Sequence, residues 1–154
     1  MKRLFLLVVC FMFTLLATRV VIAQDKVARS VTNETLEKIL KGLDLKYQKV
    51  EPKDKDGASM YFDFTRNNQP LRLKNYGNDL WIETTTEKGL KLEDINRWNA
   101  DAKFSRLVLI EDKDKAIVSL EAQLDCLGGV TEATIKQYLT RFDAEAQKFA
   151  KFAK

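Results

Sequence analysis

The chain contains no histidine among its 154 residues. That excludes Ser-His-Asp and Cys-His nucleophile pairs, zinc sites with histidine ligands and an imidazole pH switch. Cysteine is nearly as scarce, with Cys10 near the start and Cys126 in the body. Without the first, the body has no internal disulfide, so packing alone must stabilise it, and Cys126 reads as a small buried hydrophobe. An excess of one charge is missing too. The formal charge of +4 includes Lys2, Arg3 and Arg19, all in the first 23 residues, which carry no acid. Beyond them 23 bases face 22 acids, a balance of +1 that gives no field for nucleic acid or anionic lipid. Low-complexity tracts, long linkers and repeats of 20 to 50 residues are absent as well.

Calcium chemistry fails on spacing. Asp54, Asp56 and Gly57 lack the third acid and the distal glutamate of such a loop, and Asp112 with Asp114 fares no better. No pair of carboxylates can be assigned to acid/base work from linear spacing. The sequon Asn33-Glu34-Thr35 overlaps a helix start that already explains Asn33 and Thr35. The expectation is therefore no catalytic residue, no metal and no cofactor.

The opening residues read as a leader. Lys2 and Arg3 precede an uncharged run from Leu4 to Thr18, which is within range for a signal-peptide core but shorter than the ~20 apolar residues that span a bilayer. The run closes on Val21-Ile22-Ala23, which places cleavage after Ala23. Residues 1–23 are thus a signal peptide, 24–30 a linker and 31–154 one domain. The expected location is the periplasm or the exterior. The alternative is an uncleaved inner-membrane anchor, with Arg19 snorkelling to the interface. Lipidation at Cys10 is disfavoured by the bulk of Val9.

Two segments open as helices in the same way. Thr32 can cap the amides that follow it while Val31 packs on Leu36, and Leu36, Ile39, Leu40 and Leu43 form one apolar face ending near Gly42. Thr131 and Val130 repeat the device, with Ile135, Tyr138, Leu139, Phe142, Ala146 and Phe149 behind them. Between the helices lie strand-like runs in three hairpins: 45–51 with 59–65 around Asp56-Gly57, 70–76 with 80–86 around Gly77-Asn78, and 104–111 with 116–124 around Asp112-Lys113-Asp114. A short helix fits 92–103, with Leu92, Ile95, Trp98 or Asn99, and Ala102 inward. Alternation of Phe62 and Phe64 with Asp63, and of Leu71 and Leu73 with Arg72, describes a sheet with one buried and one wet face. The fold class is α+β in two layers, a mainly antiparallel sheet with helices on one face, in the order α-β-β-β(-β)-α-β-β-α.

Ile95-Asn96-Arg97-Trp98-Asn99, then Phe104-Ser105-Arg106, Leu120-Glu121-Ala122, Leu124-Asp125 and Gly128-Gly129-Val130-Thr131, resemble the YbjN family. The resemblance runs from about Val31 to Phe149. It implies a bacterial sensory transduction regulator with a type III secretion chaperone-like fold, an interaction role and no catalysis. One departure is Lys91, where relatives place a capping serine; a lysine cannot accept the amide bonds.

Read on their own, Asn96 and Asn99 share one side of the short helix, where their amides can tie it to the segment that follows. Trp98 is a core anchor or, alternatively, one of an exposed pair with Trp81. Gly128 and Gly129 form a turn with φ above zero before the cap, the alternative being an anion nest at the helix start. Trp81, Tyr76, Asn96, Trp98, Asn99, Arg106, Gly128 and Gly129 are the candidate interaction or structural-motif residues. The expected function is an exported, non-catalytic protein-binding or regulatory module of the bacterial cell envelope, with an unidentified protein or a second copy of the chain as partner and no nucleic acid. Membrane contact is expected only through an uncleaved leader. The rival is a small-ligand carrier with an apolar pocket between sheet and last helix, lined by Phe62, Phe64, Phe142 and Phe149.

Overall fold

Thr32 opens the first helix as its spacing predicts: its hydroxyl accepts the amide of Thr35 at 3.3 Å, and α1 runs over Asn33–Gly42. The structure, a computed structural model, describes residues 26–51, 60–87, 89–112 and 115–154. The leader with its cleavage position, the Asp56-Gly57 turn and the Lys113-Asp114 tip lie outside the described residues. Leu36, Ile39 and Leu40 are fully buried on the inner stripe of α1. The left-handed residue that turns the chain away is Asp44, at φ 55°, two positions beyond Gly42.

Six strands follow the helix: β1 (Tyr47–Val50), β2 (Met60–Arg66), β3 (Gln69–Asn75), β4 (Asp79–Thr86), β5 (Arg106–Asp112) and β6 (Lys115–Asp125). They form one antiparallel sheet in the order β1-β2-β3-β4-β6-β5. Between β4 and β5 lies α2 (Leu92–Asp101), and the chain ends in α3 (Glu132–Phe152). The β2–β3 connection is a tight turn that the sequence reading passes over. Asn67 and Asn68 stand at φ 49° and 62°, the paired left-handed conformation of a two-residue hairpin.

Helix α2 departs from expectation in two respects. It ends at Asp101, two residues before the predicted Lys103, with Ala102 as its C-cap. Leu92, expected inside, is 60 % exposed, while Ile95 and Trp98 are buried. Steps of three residues rotate by about 60° each, so Leu92 lies about 120° round the helix from Trp98 and off the buried stripe. Lys91 makes no capping bond, as its chemistry requires.

The entry to α3 is doubly tied. Thr131 accepts the amide of Thr134 at 3.1 Å, and Thr134 accepts that of Thr131 at 3.4 Å. Gly129, at φ 95°, precedes it, and a Cβ there would sit 2.6 Å from Val27 Cγ1. This leaves room for residues 27–28 to lie alongside, where Ala28 and Val130 exchange both backbone bonds at 2.8 Å.

The inner face of the sheet carries Phe62, Phe64, Leu71, Leu73, Leu80, Ile82, Val118 and Leu120, all buried. Helix α3 crosses β3, β4 and β6 on that side, and the buried sides of α1 and α2 join the same core. Each such side chain contributes about 1.5–3 kcal/mol on burial. Tyr138 fastens the layers together, its hydroxyl donating to the carbonyls of Leu80 at 3.2 Å and Ala122 at 2.8 Å. The four phenylalanines expected to line a ligand pocket are core side chains, none more than 5 % exposed. Phe62 and Phe142 are fully buried between sheet and helix.

Candidate functional site: the open face of the sheet

Strand alternation sends every second side chain to the face that no helix among the described residues covers. Register then lines them up in rows. One row crosses all six strands: Gln48 faces Asp63, Asp63 faces Arg72, Arg72 faces Glu83, Glu83 faces Glu121 and Glu121 faces Arg106. The row beside it runs Val50, Tyr61, Lys74, Trp81, Gln123.

Within these rows the charges are ordered. Arg72 grips Asp63 with two bonds, Nε to Oδ1 at 2.8 Å and Nη2 to Oδ2 at 2.9 Å, and that bond raises the arginine pKa above its ordinary value despite partial burial. Glu83 and Glu121 stand opposite each other, an unfavourable pairing on its own. Each is drawn to a different cation, Glu83 to Lys74 at 2.9 Å and Glu121 to Arg106 at 3.4 Å. The same arginines cover aromatic rings: Arg72 lies 4.1 Å from the Tyr61 centroid and Arg106 lies 5.2 Å from that of Trp81. Beside the rows runs a groove of about 740 Å³, lined in part by Lys46, Gln48, Asp63, Arg72, Glu83 and Thr85. The surface is thus rigid amphipathic rings and fixed ion pairs next to a shallow depression, a composition suited to recognising another polar surface.

The candidates from the sequence divide between this face and the scaffold. Trp81 and Arg106 are in the rows. Trp81 is half-buried, and its indole N–H has no acceptor among the described residues. Tyr76 is 53 % exposed at the end of β3, beside Gly77 at φ 81°. Trp98 belongs to the core: it is 9 % exposed, with ring partners Phe149 at 6.0 Å and Phe152 at 5.3 Å. It therefore makes no exposed pair with Trp81. Asn99 accepts the amide of Leu107 at 2.7 Å and donates to the Leu107 carbonyl at 3.0 Å, which ties α2 to β5. Asn96 is exposed and makes no such bond. At the Gly128-Gly129 turn, the Gly129 amide is used by the Cys126 carbonyl at 2.9 Å and the Val130 amide by Ala28, so neither is free for an anion. Cys126 is fully buried, and burial raises its thiol pKa. Among the described residues, no group of three histidines, cysteines or acids is placed to hold a metal ion, and no helix is long and apolar enough to cross a membrane.

Tyr61, Asp63, Lys74 and Glu83 were missed. Their signal was available in Asn67-Asn68: a two-residue turn there sets Arg66 opposite Gln69 and hence Asp63 opposite Arg72.

An antiparallel sheet covered by helices on one side and carrying an ordered polar face on the other defines a two-layer α+β module. Residues 32–153 match the family YbjN, described as "Putative bacterial sensory transduction regulator", and the chain belongs to that family. That description names a regulatory role and no reaction. Among solved structures, the chain is similar to that of YbjN from E. coli, described as "a putative transcription regulator", at 13 % identity and TM-score 0.59, covering 80 % of this chain and 90 % of that one. That likeness shows the fold. An uncharacterized protein from Methanothermobacter thermautotrophicus is also similar, at 10 % identity and TM-score 0.48, covering 77 % and 96 % of the two chains. No curated protein matches the chain.

Proposed function

We propose that this chain is an exported, non-catalytic regulatory module of the bacterial cell envelope that recognises another protein through the open face of its sheet. The observation that carries the reading is the pair of rows on that face, where Tyr61 and Trp81 are each covered by an arginine and each arginine is held by a carboxylate. Ordering these side chains before binding lowers the entropy lost on contact. Acids and bases are equal in number in the rows, Asp63, Glu83 and Glu121 against Arg72, Lys74 and Arg106, so the face offers a protein complementary charge and offers a phosphate backbone no net attraction. Export is supported by the basic start and the uncharged run from Leu4 to Thr18. As a chaperone-like scaffold, the module binds its partner by shape.

The test is crosslinking in intact cells, comparing the wild type with Trp81→Ala and weighing the purified bait. The expected result is one captured protein, lost in Trp81→Ala while the melting temperature stays within a few degrees, and a bait that begins at Gln24. Undiminished capture by Trp81→Ala would place recognition elsewhere, and an untrimmed bait in the cytosol would overturn export. Capture of a second copy of the chain identifies the partner as itself.

A further inference from the structure

A second groove, of about 420 Å³, lies between α2 and α3. Its volume is within the range of small-molecule sites. Three aromatic side chains line it, Trp98, Phe104 and Phe152, together with more bases than acids: Arg97, Lys103, Arg141 and Lys148 against Asp101 and Glu145. Half of these charges are already engaged. Asp94 holds Arg97 at 2.7 Å, while Glu145 is occupied by Lys148 at 2.8 Å and by the Ser105 hydroxyl at 3.0 Å. Arg141 and Lys103 have no carboxylate partner among the described residues. Arg141 instead lies over the Phe104 ring, 4.3 Å from its centroid, with its guanidinium edge left for an anion.

An independent observation comes from Trp98. It is nine-tenths buried, it lines this groove, and its indole N–H has no hydrogen-bond acceptor among the described residues. Leaving such a buried donor unpaired is costly, and an oxygen placed beside it would relieve that cost. Aromatic walls exclude a bare hydrated ion, and unpaired bases at the rim favour a negative head. We infer that this groove binds a small amphipathic carboxylate, with the acid on Arg141 and Lys103 and the apolar body against Trp98, Phe104 and Phe152. The inference stands apart from recognition by the open sheet face and can hold or fail separately.

The chain has two tryptophans, so its indole N–H resonances are two, and Trp81→Phe assigns them. The purified chain is titrated with 2-naphthoate and, separately, with dodecanoate. 2-Naphthylmethanol serves as the neutral match. Either acid is expected to move the Trp98 resonance saturably while that of Trp81 stays in place. The alcohol is expected to bind about tenfold more weakly, as is the acid to Arg141→Ala or Lys103→Ala, the scale of one lost charge-assisted bond. Both variants are at exposed positions, and an unchanged melting temperature shows that they fold. A static Trp98 resonance with both acids, equal binding of acid and alcohol, or wild-type affinity in Arg141→Ala would each overturn the assignment.

Discussion

The two faces of β6 use the same strand for opposite ends. Toward the helices, Val118, Leu120 and Ala122 are buried in a continuous core. Away from them, Glu121 is held by Arg106, and Gln123 bonds Asp79 at 3.1 Å. The first face is non-directional: its stabilisation follows the area removed from water and tolerates many apolar choices. The second is directional and contributes little to stability, because partly exposed ion pairs are worth ~0–1 kcal/mol. What that face supplies is a fixed pattern of charge and ring. The lesson is that covalent neighbours can be divided cleanly between holding the fold and presenting a surface, and that the division should appear as a difference between stability and binding effects.

The largest effect expected from breaking this division is on the helix side. Phe142→Ala, at a fully buried position, should lower the unfolding free energy by about 3–5 kcal/mol in urea denaturation. Capture of a partner should then fall only as far as the folded fraction falls.

Next is Tyr138, buried with its hydroxyl on two strand carbonyls. Burial pushes its pKa well above the ordinary 10.0. The unfolded chain therefore releases this proton near pH 10 while the folded chain keeps it, so the folded state binds more protons and stability falls as pH rises past that point. Cys126 acts with the same sign from its ordinary value of 9.0, its thiol pKa being raised first by burial and then by Asp79 and Asp125. Tyr138→Phe should lose about 1–3 kcal/mol at neutral pH and flatten the alkaline decline, leaving the part due to Cys126. Denaturation midpoints between pH 7 and 11 measure both.

The smallest effect is predicted on the open face. Arg72→Ala removes the two-bond grip on Asp63, yet stability should change by less than about 1 kcal/mol, and by less still at high salt. The same variant should lose capture along with Trp81→Ala. A stability loss comparable to that of Phe142→Ala would erase the contrast between the faces.

The starts of α1 and α3 were legible in the chain because capping is local: Thr32 and Thr131 act on amides three residues away, and both perform as their spacing implies. The alternation of Phe62, Asp63 and Phe64 likewise fixes which side of β2 is wet. Cross-strand rows are another matter. Whether Asp63 meets Arg72 depends on the turn length at Asn67-Asn68, and whether Glu83 meets Glu121 depends on β6 inserting between β4 and β5 after a helical excursion, a non-local choice with no signature in any one window. Trp98 could not be divided between core and surface by spacing alone. Its position was decided by Phe149 and Phe152, some 50 residues further along the chain.

The central claim is that recognition belongs to the sheet face that carries Tyr61 and Trp81. A photoreactive residue placed at Thr85, exposed on that face, and separately at Gln137, exposed on α3, tests it in living cells. A heavier adduct is predicted from position 85 alone. An adduct from position 137 alone, or equal adducts from both, would contradict it.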